Sequence, residues 1–134
     1  MDLAQTYSIT IAALGALSAL MFCQLIVADV VGVRAKHLPG SSVPTDHSNL
    51  LFRTTRTVAN TNESIAIFIL AVLFCVLSGA SPTVTAYGAW GFVISRALYA
   101  ICYYANLPLL RSTTFALALL AIVALLITGF SGWF

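Results

Sequence analysis

The sequence predicts an all-α membrane protein, an up-and-down bundle of four transmembrane helices in a single domain over residues 1–134. The chain is 60% hydrophobic and 7% charged, with a mean hydropathy of +1.00, far from the balance of a soluble domain. Its apolar residues fall into four runs, and each has about the 20 residues needed to cross a hydrocarbon core of about 30 Å. Helices satisfy their own backbone hydrogen bonds in lipid, so we expect each run to be a helix.

The first run, about residues 6–33, is long enough to project beyond the hydrocarbon core. We expect it to remain as a helix rather than to be removed as a signal peptide, because Asp2 and no basic residue precedes it and because it is too long for an h-region. The other runs cover about residues 58–78, 84–104 and 115–134. The connection at about residues 35–52 contains helix breakers and is predicted to cap one end of the bundle.

The basic residues indicate an orientation. All six lie near the first and third connections: Arg34, Lys36, Arg53, Arg56, Arg96 and Arg111. The positive-inside rule therefore places these two connections in the cytoplasm and both termini outside it. No basic face exists elsewhere, so the sequence favours membrane lipids and not nucleic acid as its surroundings.

The second run opens with a polar stripe, in the spacing Arg-x-x-Arg-x-x-x-Asn-x-x-Glu: Arg53, Arg56, Asn60 and Glu63. At about 100° per residue these side chains project within roughly a quarter turn of one another. Charge is costly inside a bilayer, so such a stripe marks a functional site by default.

The third run carries a second polar set at spacings of three and four, which places its members on one helix face: Arg96, Tyr99 and Tyr103. Arg111 and Ser112 follow, supplied by a predicted loop that includes residues 106–110. Packed against the stripe, these residues would form a cationic, tyrosine-lined cleft with one carboxylate. Arginine binds carboxylates through paired, charge-assisted hydrogen bonds, and Glu63 can receive an ammonium group, so the cleft suits an anionic or zwitterionic small molecule.

The segments RTTRTVANTNESIAIF and SRALYAICYYANLPLLRSTTF resemble the MAPEG family, the membrane-associated proteins in eicosanoid and glutathione metabolism. This family includes microsomal glutathione transferases, leukotriene C synthase and microsomal prostaglandin E synthase. The resemblance covers nearly the whole chain and is closest to small bacterial members. It implies a homotrimer in a bacterial inner membrane, with glutathione as co-substrate bound between neighbouring subunits at the cytoplasmic side.

Site residues also follow from the resemblance. Six positions match residues that bind glutathione in the family: Arg56, Asn60, Glu63, Arg96, Tyr99 and Tyr103. Arg53 matches a basic position of the same motif, and Arg34 matches another basic residue of the site more loosely. Arg111 matches the arginine that stabilises the glutathione thiolate, and Ser112 matches the serine that follows it in the prostaglandin synthase.

The chain departs from the family pattern at three places. Ser64 stands where leukotriene C synthase has a tyrosine after the glutamate. The spacing from Tyr103 to Arg111 differs by one residue from that of some eukaryotic enzymes. The connection before Arg111 is also less basic than in several relatives, since it carries leucines at 107, 109 and 110. These departures bear on catalysis more than on fold.

The leading functional hypothesis is a glutathione-dependent transferase or peroxidase acting on hydrophobic electrophiles from the bilayer, with Arg111 stabilising the thiolate. The alternative is a non-enzymatic ligand-binding protein or an accessory subunit of a larger membrane complex, in which the stripe forms interhelical ion pairs. A third class, a small proton-coupled exporter of cationic drugs, is disfavoured because Arg53 and Arg56 would repel a cation near Glu63.

The remaining polar residues have simpler interpretations. Cys23, Cys75 and Cys102 lie inside apolar runs and are expected to pack as small hydrophobes without a disulfide. His37, Asp46 and His47 share the long connection and could be drawn as a metal site. Scattered polar residues in a loop are far more often solvated, so we expect no metal. Glycines at 88 and 91 are typical of close helix packing.

Overall fold

The computed structural model describes residues 2–133, and every regular element in that range is an α-helix. A single turn, α1 (Leu3–Thr6), precedes four long helices: α2 (Ser8–Arg34), α3 (Leu50–Leu77), α4 (Pro82–Tyr104) and α5 (Pro108–Ser131). Among these, α2, α3 and α5 are long and apolar enough to cross a membrane, as expected of an integral membrane protein. The remaining long helix, α4, has 23 residues and carries the buried Arg96.

Two helices begin well before the apolar runs that predicted them. Helix α3 begins at Leu50 instead of residue 58, since the Asn49 side chain caps it by accepting a hydrogen bond of 2.9 Å from the Leu51 amide. Helix α5 begins at Pro108 instead of residue 115, because proline fits the first helical turn. The predicted loop at residues 106–110 is therefore wrong for residues 108–110, which are helical, and Arg111 lies in the first turn of α5. Hydropathy missed both starts because polar residues, 53–57 in α3 and 111–114 in α5, separate them from the apolar runs.

Helices α3 and α4 form the centre of the packing. Each contacts both α2 and α5, whereas α2 and α5 barely touch each other. At the centre the rings of Phe68 and Phe92, both 0% exposed, stack with centroids 4.1 Å apart and planes 9° from parallel. The close packing predicted at Gly88 is confirmed, because a Cβ atom there would lie 2.8 Å from Cγ of the buried Leu125.

Large apolar side chains cover much of the outside of the helices, for example Leu70, Ile101 and Leu120. Among the described residues, seven of the eleven buried polar side chains instead lie at residues 54–64 of α3, in the second half of α4 and near the start of α5, which meet at one end of the bundle. The connection between α2 and α3 lies at this end of the helices, with His47 in contact with Tyr103 and Arg111. The fold therefore brings both predicted polar sets to one place.

Candidate functional site

A cavity of about 260 Å³ opens between α3, α4 and α5 at this end. It is lined by Arg56, Asn60, Tyr99, Tyr103, Arg111, Ser112 and Phe115. Six of these seven residues were predicted as site residues from the sequence. Phe115 was not, although its position one helical turn after Arg111 could have indicated it once the start of α5 was known.

Three residues of the stripe on α3 are held together by hydrogen bonds between their side chains. Arg56 Nη1 donates to Glu63 Oε1 across 2.8 Å, and Asn60 Nδ2 donates to Glu63 Oε2 across 3.3 Å. Spacings of seven and three residues place all three side chains on one helix face, as predicted. The Arg56 and Glu63 side chains are 42% and 55% exposed, so the ion pair lies at the open side of the cavity.

Arg96 lies behind the cavity and joins α4 to α3. It is 0% exposed, and its Nη2 donates to Asn60 Oδ1 across 2.8 Å and to Thr61 Oγ1 across 3.1 Å. Its guanidinium carbon lies 4.4 Å from the centroid of the Tyr99 ring, a cation–π contact. Within residues 2–133, its Nε and Nη1 atoms have no hydrogen-bond partner. A buried cation with unused donors creates a positive potential at this wall of the cavity.

Two contacts hold the Arg111 side chain at the cavity. Its guanidinium carbon is 4.6 Å from the centroid of the Tyr103 ring, and its Nη1 lies 3.3 Å from Nδ1 of His47. Tyr103 in turn packs edge to face with Tyr99 at a centroid distance of 5.5 Å. The neighbouring Ser112 hydroxyl donates to the Pro108 carbonyl across 3.0 Å, which leaves its oxygen lone pairs as acceptors.

Four predicted site residues do not line the cavity: the buried Arg96 described above, and Glu63, Arg53 and Arg34. Glu63 reaches it only through its contacts with Arg56 and Asn60. Arg53 turns away toward the loop, where its Nη1 donates to the carbonyls of His47 and Ser48 across 2.7 and 2.8 Å. Arg34 is exposed at the end of α2. Arg53 therefore stabilises the loop before α3, and Arg34 lies outside the site.

His47 contacts the cavity residues Tyr103 and Arg111, although the sequence assigned it to the loop and not to the site. Its ring stacks on Tyr103 with centroids 6.0 Å apart and also meets the Phe52 ring edge to face at 5.0 Å. Nothing in the sequence indicates this placement, because it depends on how the loop folds back over α4 and α5. Within the part of the chain that the structure describes, no three His, Cys, Asp or Glu side chains are arranged to hold a metal ion, and the three cysteines are unpaired.

Larger cavities exist elsewhere but have different linings. One of about 380 Å³ lies between the starts of α2 and α4 and has a largely apolar wall that includes Tyr7, Tyr87 and Trp90. Another of about 520 Å³ lies at the end of α2 beside Asp29 and His37. Among the described residues, neither lining includes an arginine. The cavity of about 260 Å³ between α3, α4 and α5 is therefore the candidate site because of its arginines and not because of its size.

Comparison with known proteins identifies the family of the chain. A family model described as the MAPEG family matches residues 10–131, a range that contains the whole cavity lining. No curated protein matches the chain. Since the matched range covers nearly all of α2 and the whole of α3, α4 and α5, the resemblance inferred from the stripe on α3 and the tyrosines of α4 is confirmed. The chain belongs to the MAPEG family.

Proposed function

We propose that this protein is a glutathione-dependent transferase or peroxidase that acts on hydrophobic electrophiles arriving through the bilayer. Membership of the MAPEG family supports a role in glutathione or eicosanoid metabolism at the level of the family. The observation that carries the proposal is the convergence of Arg56, Asn60 and Arg111 with two tyrosines on one cavity between three helices.

The lining fits the charges of glutathione, a tripeptide with two carboxylates, one ammonium group and one thiol. Arg56 can bind a carboxylate, and Asn60 can both donate to and accept from a peptide group. Glu63, at the open side, can receive the ammonium group. The buried Arg96 adds positive potential at the inner wall and favours a bound anion.

Arg111 has the chemical role in this proposal. Bound glutathione would supply the sulfur nucleophile, so no nucleophile from the protein is required. A fixed guanidinium near the sulfur favours the thiolate, the reactive form of a thiol. Phe115 gives the same cavity an apolar wall on which a hydrophobic electrophile can pack.

We further propose a homotrimer whose subunits each cross the membrane four times. At 1.5 Å per residue, Glu63 lies about 20 Å from the start of α3, at a depth where an exposed carboxylate needs protein or water around it. The cavity of about 260 Å³ is also smaller than the roughly 300–1,000 Å³ typical of ligand sites. A neighbouring subunit packed against the exposed Arg56–Glu63 pair would enlarge the site, and the outlying Arg34 could enter from that subunit.

The orientation proposed for this trimer follows from the basic residues. The site lies at the end of the helices where the loop before α3 and the connection between α4 and α5 meet, and all six arginines and lysines lie in or near these two connections. The positive-inside rule therefore directs the site toward the cytoplasm and both termini away from it, with a bacterial inner membrane as the proposed location.

The second candidate is a non-enzymatic ligand-binding protein or an accessory subunit of a larger membrane complex. One observation favours it: Arg56, Asn60 and Glu63 of the stripe already form hydrogen bonds with one another and with Arg96 of α4. Glu63 accepts from Arg56 and Asn60, and Asn60 accepts from Arg96, so these contacts could serve to join α3 to α4. A fold alone does not decide between these functions.

Turnover assays on the purified protein in lipid vesicles distinguish the two candidates. We would measure glutathione conjugation to a chlorodinitrobenzene and reduction of a lipid hydroperoxide. Arg111→Ala should lower kcat/KM for whichever of the two reactions the wild type catalyses at least tenfold. This is a loss of about 1.4 kcal/mol or more in transition-state stabilisation. Lys36→Asn is the matched control, because it removes an exposed cation outside the cavity and asparagine tolerates the positive φ of 53° there. Absence of both reactions in folded wild type would favour the second candidate.

A further inference from the structure

We infer that His47, in the loop between α2 and α3, is a positioning residue of the site, whose neutral ring holds the Arg111 guanidinium at the cavity. This inference rests on the proposed function, in which Arg111 stabilises the thiolate of glutathione. It concerns how a residue of the loop before α3 fixes the position of the Arg111 side chain.

The contacts around Arg111 support this role. The Arg111 guanidinium lies over the Tyr103 ring at 4.6 Å, and its Nη1 is 3.3 Å from Nδ1 of His47. The His47 ring is itself stacked on Tyr103 with planes 21° from parallel, at a centroid distance of 6.0 Å. Arginine and histidine thus share one tyrosine as a platform and also contact each other. A long side chain in an otherwise open cavity is held from two directions, which reduces the entropy it would lose when it meets an anion.

The loop fixes the backbone on both sides of His47. The Arg53 guanidinium donates to the carbonyls of His47 and Ser48 across 2.7 and 2.8 Å. On the other side, the Asp46 carboxylate accepts from the amide and the hydroxyl of Ser48 across 2.8 and 2.7 Å. Asn49 then caps α3. The position of the imidazole is therefore tied to the start of α3, which also carries the stripe.

The chemistry of the two side chains decides which form of His47 can make the contact. Arginine has only donors, so Nδ1 must accept and must carry a lone pair. The ring is then neutral, with its proton on Nε2. Protonation removes the acceptor and places two cations side by side. The titratable and charged groups that face His47 are Arg111 from α5, Tyr103 from α4, Arg53 from α3 and Asp46 beside it in the loop.

Two variants of His47 test the role through kinetics. His47→Phe keeps a ring for Tyr103 but removes the acceptor. Loss of one hydrogen bond of this kind should lower kcat for glutathione conjugation by roughly three- to tenfold. KM for glutathione should change little, because Arg111 meets the sulfur and not the peptide. His47→Asn keeps an acceptor near the position of Nδ1 and should stay within about twofold of wild type.

A control at the other histidine of the loop separates positioning from a merely structural role. His37 contacts Ser41 and does not line the cavity, so His37→Phe should keep the wild-type kcat and KM. A loss of kcat in His47→Phe that His47→Asn restores, with KM for glutathione unchanged, supports positioning of Arg111. Wild-type kinetics in His47→Phe would overturn the inference.

A measurement without glutathione keeps this inference separable from the proposed function. The ring-nitrogen NMR shifts of ¹⁵N-labelled histidine report the tautomer of each of the two histidines. We expect His47 to hold its proton on Nε2 in wild type and to become a mixture of tautomers in Arg111→Ala, with His37 unchanged. If the His47 signals are the same in both proteins, the contact does not exist and the inference fails. If they differ but no turnover occurs, the contact stands and the transferase proposal fails.

Discussion

Arg96 of α4 donates a hydrogen bond of 2.8 Å to Asn60 of α3, and this contact joins the two polar sets that the sequence placed on separate helices. Asn60 in turn donates to Glu63, which accepts from Arg56. The fully buried Arg96 guanidinium is therefore connected to the cavity through the side-chain amide of Asn60. The charge is stabilised by a ring, an amide and a hydroxyl, with no carboxylate in direct contact among residues 2–133.

Two substitutions of Arg96 should differ in their effect on stability. Arg96→Ala leaves a cavity and two unpaired acceptors, so it should lower the free energy of unfolding by about 2–5 kcal/mol. Arg96→Met fills much of the same space without burying a charge and should cost less. Thermal unfolding in detergent, followed by tryptophan fluorescence, measures the difference. Equal losses in the two variants would show that packing around the side chain does not matter.

Gly88 and Gly91 form a matched pair on α4. A Cβ at position 88 would lie 2.8 Å from two atoms of the buried Leu125, whereas at position 91 it would lie 3.8 Å from the Ala121 Cβ, an ordinary contact. Gly88→Ala should therefore destabilise the protein by about 1–3 kcal/mol through overpacking. Gly91→Ala should be neutral or slightly stabilising, because alanine favours the helix. The same unfolding assay applies, and a stable Gly88→Ala variant would contradict the packing of α4 on α5.

The turn before α3 should respond to pH through Asp46. Hydrogen bonds from the side chain and then the amide of Ser48 hold the pKa of Asp46 below its ordinary value. The folded pKa is lower than the unfolded one, so the turn is stabilised above the unfolded pKa and loses that stabilisation as pH falls through the folded pKa. Ser48→Ala should raise the pKa of Asp46 toward its ordinary value.

Aspartate carboxyl signals in ¹³C NMR measure this change. The chain has three aspartates, and Asp46→Asn identifies the relevant signal. Ser42→Ala, elsewhere in the same loop, is the control and should leave the titration of Asp46 unchanged. An unchanged titration in Ser48→Ala would mean that the turn does not hold the carboxylate, and with it one support of His47 would be lost.

The sequence predicted much of this arrangement and missed definable parts of it. Apolar runs located the long helices, but polar residues at 53–57 and 111–114 separate the starts of α3 and α5 from those runs, so hydropathy did not register them. Helical spacing alone predicted that Arg56, Asn60 and Glu63 share one helix face, because all three lie on α3. The partners of Arg53 and the placement of His47 could not be predicted, since both depend on the path of a loop over other helices.

Calorimetric titration of glutathione into the detergent-purified protein tests the central claim most directly. Wild type should bind saturably, whereas Arg56→Ala and Glu63→Ala should abolish binding, because each removes one charge from the stripe. Lys36→Asn should bind like wild type, which controls for the loss of a positive charge as such. Absence of binding to well-folded wild type, or undiminished binding by both stripe variants, would contradict the assignment of this cavity to glutathione.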